Sequence, residues 1–77
     1  MINGEMINLN LTRRNVCDVL RAITSVRIDF MNEIRDENTT ADRKRIAESS
    51  LAMWENLYSE IKNQLSKYDE ELEEQAV

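Results

Sequence analysis

The strongest regularity in the chain is a row of apolar residues: Ala47, Leu51, Trp54, Tyr58, Ile61, Leu65, Tyr68 and Leu72, separated by alternating steps of four and three. Such steps keep side chains on one side of an α-helix, because about 3.6 residues complete a turn. The row predicts a helix over 41–74 with a heptad-like seam. Ile46 and Leu57 widen it. An earlier set, Val16, Val19, Leu20, Ile23, Val26, Phe30, Met31 and Ile34, predicts a first helix over 13–36. Ile28 falls off that stripe and marks a second surface. Residues 6–12 follow a different rule. There Ile7, Leu9 and Leu11 alternate with Asn8 and Asn10, the period of a half-buried extended strand. A lone strand needs a partner, either its symmetry copy or the helices beneath it.

The punctuation agrees with two helices. Thr12 can cap the first, and Asp36-Glu-Asn-Thr-Thr is the one polar interruption that reads as a turn, with Thr39 or Thr40 capping the second. The chain has no proline and a single glycine, Gly4, so nothing later breaks the backbone. A connection this short brings the second helix back along the first, an all-α antiparallel hairpin. The second helix should be longer by about 10 residues, or ~15 Å at 1.5 Å per residue. That overhang would carry Leu65, Tyr68 and Leu72, and the N-terminal segment or a second subunit would have to cover them.

Composition sharpens the need for a second subunit. At 77 residues the chain is one domain, 1–77, with a marginal core of its own. Cys17 is the only cysteine and there is no histidine, so an internal disulfide and a zinc site are both excluded. Self-association remains. The expected form is a homo-oligomeric helical bundle, with Leu51, Trp54, Tyr58, Ile61, Leu65, Tyr68 and Leu72 as its seam. The apolar runs are too short to span a membrane, no signal peptide is expected from the opening residues, and a free thiol agrees with a reducing cytoplasm. Met1 and Met6 are both possible starts.

Net charge is −5, most of it from Asp69, Glu70, Glu71, Glu73 and Glu74 near the end. That balance opposes duplex nucleic acid, whose affinity comes from neutralised phosphates. It favours a basic protein surface, or a small anion held in a local basic pocket.

Arg13 and Arg14 are the candidates for such a pocket. They sit at the positive end of the first helix, where free N–H groups and two guanidinium forks would suit a phosphate, a nucleotide or carboxylates. The competing reading is neutralisation by Glu70 or Glu73 from the returning helix. Arg43, Lys44 and Arg45 repeat the pattern at the second helix start, with Asp36 and Glu37 as expected partners across the turn. Trp54 and Tyr58, one turn apart, could stack a base or contact a partner, although packing is the commoner use of such a pair. Arg13 and Arg14 could activate Cys17, but a small buried thiol is the simpler reading. Catalysis has little to work with: no histidine base, no nucleophile–base set and no glycine-rich loop. No enzyme activity, cofactor or metal is expected.

Leu11-Thr-Arg-Arg-Asn-Val-Cys-Asp-Val-Leu, with the later Trp54-Glu-Asn-Leu-Tyr-Ser-Glu-Ile-Lys-Asn-Gln-Leu-Ser-Lys-Tyr-Asp, resembles small bacteriophage and prophage proteins of gut Firmicutes. The two segments are 26 of the 77 residues. That family has glutamate where Asn15 stands, which would complete a capping box with Thr12, and its middle is shorter than 25–50 here. The resemblance implies, by analogy, a small binding protein in the cytoplasm of a bacterial host. It would antagonise a host protein or defence system, by plugging a site or by sequestering a nucleotide-like signal. A plug would use the acidic tail or the outer face of the first helix. A structural or assembly accessory of a phage, or a small transcription regulator, are the alternatives.

Overall fold

The computed structural model describes residues 4–76, with the backbone alone at Ala76. Two helices, α1 (Arg13–Arg35) and α2 (Ala41–Ala76), pack together as an antiparallel hairpin. The fold is all-α, and no strand forms among the described residues. α1 ends one residue earlier than the spacing predicts and α2 runs two residues further. The question of whether Met1 is the start lies outside the described residues.

Local chemistry sets the helix ends. The Thr12 hydroxyl accepts from the Asn15 N–H at 3.1 Å, capping α1. At the other end the Asp36 N–H donates to the carbonyls of Asn32 and Glu33 at 3.0 and 3.3 Å. Asp36 itself is extended (φ −72°, ψ 122°), so the chain leaves the helix without a left-handed residue. Its Oδ1 accepts from the Asn38 N–H at 2.9 Å and its carbonyl accepts from the Thr39 N–H at 3.2 Å, which closes the turn. Thr40, rather than Thr39, caps α2: its hydroxyl accepts from the Arg43 N–H at 3.3 Å.

α2 spans 36 residues and α1 spans 23. The long dimension of the molecule, 55 Å, is close to the length of α2 itself, about 54 Å at 1.5 Å per residue. Arg13 reaches across to Asp69, so Glu70–Ala76 projects past the last tie to α1. Residues 5–12 lead into α1 in an extended form, and among the described residues the backbone of 5–11 makes no hydrogen bond. Ile7, Leu9 and Leu11 are exposed, as are Tyr68 and Leu72 on α2. Of the two covers expected for the end of the second helix, the N-terminal segment and a second subunit, the first leaves Tyr68 and Leu72 exposed.

Among the described residues only Ile23 and Ala47 are buried. The remaining interhelical positions, including Val16, Leu20, Val26, Phe30 and Ile34 on α1, are half-buried. Two cylinders touch along a line, so each interior residue is covered from one side only. This geometry leaves the apolar faces incomplete in the single chain.

Candidate interaction surface

The residues beside the contact line divide into two unlike faces. On one face, Arg27 of α1 lies over the Tyr58 ring at 4.7 Å and 3.8 Å from Glu55, and Lys62 lies 5.8 Å from the same ring. Guanidinium over an aromatic face is a favourable pairing. The Nε of Arg27 is buried with no hydrogen-bond partner among the described residues. At the open end of this face Arg13 forks onto Asp69: Nε to Oδ1 and Nη2 to Oδ2, both 3.0 Å.

The Arg13–Asp69 fork decides much of the anion-site question. Hydrogen bonding to Asp69, with its charge, holds Arg13 more firmly protonated, and the same bond holds the Asp69 carboxyl below its ordinary range. The acidic partner from the returning helix is thus Asp69 rather than Glu70 or Glu73. Arg13 also approaches the half-buried Cys17, Nη1 to Sγ 3.9 Å. Arg14 follows Arg13 by one residue, about 100° round the helix, and the two guanidinium groups do not converge. Arg14 makes no ion pair among the described residues.

The second basic cluster pairs differently from expectation. Arg43 bonds Glu33 at 3.1 Å, and Arg45 bonds Asp42 at 3.3 Å on its own helix. Asp36 is engaged in capping α1 and closing the turn. An open hollow of about 420 Å³ sits at this end, lined mainly by Asn32, Glu33, Asp36, Asn38, Thr40 and Arg43. Within it Asp36 and Thr40 serve the turn and the α2 cap, and Arg43 and Glu33 pair with each other.

The other face is apolar. Phe30 and Ile46 line a shared depression with Ala47, Glu33 and Arg43, which places both on this side. On α2 the positions 46, 50, 53, 57, 61, 64 and 68 follow each other at helical steps: Ile46, Ser50, Met53, Leu57, Ile61, Gln64, Tyr68. None is charged. Ile46 is 65% exposed, Met53 72%, Leu57 40% and Tyr68 50%. On α1 the matching stripe is Val19, Ala22, Val26 and Phe30, again without charge. Val19 is 39% exposed.

The seam expected to join subunits is mostly spent inside the hairpin: Leu51, Trp54, Tyr58, Ile61 and Leu65 are half-buried, while Tyr68 and Leu72 are exposed. Trp54 and Tyr58 do not present an open pair of rings, since Arg27 and Lys62 flank Tyr58. Met53 is the residue that sequence reasoning missed. The steps of seven and four in Ile46, Met53 and Leu57 carried the signal, overshadowed by the longer row beside them. Among the described residues no group of three Cys, Asp or Glu is placed to hold a metal ion, and no helix is long and apolar enough to cross a membrane. Neither a protein-family model, nor a curated protein, nor a solved structure matches the chain.

Proposed function

We propose that the chain is a non-enzymatic binding protein that works as a homo-oligomer and antagonises a bacterial host protein. The observation that carries the reading is the apolar surface the hairpin leaves in water. Among the described residues eleven large hydrophobic ones are exposed against two buried ones, the reverse of what a self-sufficient small domain needs. Five of them, Val19, Ile46, Met53, Leu57 and Tyr68, fall on the apolar face, and apolar surface gathered on one face marks a place where another polypeptide sits.

A protein partner is favoured over a nucleotide-like anion. Arg13 already engages Asp69, Arg14 stands apart, and the hollow at the turn is open, with its one cation, Arg43, paired to Glu33. The carboxylates and Cys17 lie on helix surfaces with no enclosed pocket around them, an arrangement that supports binding rather than catalysis. The direction towards a host protein, and with it the host cytoplasm, rests on the resemblance to phage and prophage proteins.

Native mass spectrometry of the protein purified from bacterial cells tests the reading. Whole multiples of the 9.1 kDa chain are expected. A single-chain mass would overturn the oligomer. Multiples carrying a few hundred additional daltons would replace the protein-partner reading with a sequestered small molecule.

A further inference from the structure

We infer that the apolar face of the hairpin, which carries the Glu33–Arg43 pair at its turn end, docks on a second copy of itself, antiparallel about a two-fold axis near Leu57, to close an antiparallel four-helix bundle. This deepens the oligomer reading above and rests on it.

Three observations select the occupant and its direction. The first is extent. The stripe from Ile46 to Tyr68 carries no charge over 22 residues of rise, about 33 Å of α2, and α1 adds Val19 to Phe30 beside it. At about 10 Å of width, the ~33 Å stripe on α2 and the ~17 Å stripe on α1 offer on the order of 500 Å² per subunit, about 1,000 Å² for the pair, the lower bound for a specific interface. The second is self-complementarity. A two-fold axis pairs a patch with its own copy, and the stripes of this patch are uncharged and apolar apart from Ser50 and Gln64, whereas the opposite face is ion-paired, Arg27 with Glu55 and Arg13 with Asp69.

The third is charge. The free end of the hairpin carries Asp69, Glu70, Glu71, Glu73 and Glu74, whereas at the turn end Arg43, Lys44 and Arg45 are balanced by Asp36, Glu37 and Asp42, with Arg43 paired to Glu33 and Arg45 to Asp42. Docking turn over turn would bring two sets of five carboxylates together. Docking turn over tail separates them. The register follows from the stripe itself. Its midpoint is Leu57, so an axis there sets Ile46 opposite Tyr68 of the copy. The same register brings Glu70 and Glu71 of one subunit to the level of Lys44 and Arg43 of the other. Apolar extent and charge placement, which are independent features, give one alignment.

Single-cysteine variants in a Cys17→Ser background test this in the full chain, with helicity checked by circular dichroism. Under mild oxidation Leu57→Cys should cross-link to itself, giving a band at twice the 9.1 kDa chain mass. Ile46→Cys should not cross-link to itself but should do so with Tyr68→Cys when the two are mixed. Self-linking of Ile46→Cys would establish the turn-over-turn arrangement and overturn the proposal. So would an oligomeric mass with no Leu57→Cys product, which leaves the oligomer standing on some other face. A single-chain mass for the parent protein would remove both readings together.

Discussion

Arg13 shows how a residue's place in its own helix and the return of the next helix act on the same side chain. A cation in the first turn of a helix meets the positive end of the dipole and is unfavourable there. α2 supplies the remedy, because its acidic end returns beside the start of α1 and Asp69 accepts both forks of the guanidinium. Asp69 is held below its ordinary carboxylate range by that bond, so the pair stabilises the fold above that range and the contribution is lost as pH falls through it. Asp69→Asn should therefore lower the melting temperature at neutral pH. The gap to the parent should close as the solution is acidified, and a gap that stays constant would assign the effect to something other than the ion pair. Thr40→Ala removes the acceptor for the Arg43 N–H and should cost about 1 kcal/mol in urea unfolding.

The elements themselves were legible because helical periodicity is written in side-chain spacing. Val16 to Ile34 and Ala47 to Leu72 have steps that no other regular structure satisfies. The turn was legible because nothing else between residues 12 and 76 interrupts that spacing. What the spacing could not divide was the width of the apolar surface on α2. A helix that is apolar over half its circumference has two uses for it. Which part faces α1 depends on the register between helices, a three-dimensional quantity fixed by contacts such as Arg27 with Tyr58 and Arg43 with Glu33. The ion-pair partners failed for a related reason, since Asp36 was already committed to backbone groups at the turn. Ala47, fully covered between the helices, sets their approach near the turn. Ala47→Leu should push them apart and cost about 1–3 kcal/mol by denaturant titration. Ending the chain after Asp69 should leave the hairpin folded, because Glu70–Ala76 lies beyond the Arg13 contact. Ending it after Ser66 should lower the melting temperature further by removing that contact as well.

At the scale of the whole molecule, the two residues buried among the described ones make a small core for a hairpin to stand on by itself. On the proposal made above, the hairpin is half of a bundle. If copies of the chain complete it, folding and assembly are one equilibrium and stability depends on concentration. The most direct measurement is the melting temperature across a hundredfold dilution, read by circular dichroism alongside mass by sedimentation equilibrium. The account predicts a melting temperature that falls on dilution and a mass that descends towards 9.1 kDa with it. A melting temperature that does not move, at a constant mass of one chain, would contradict it.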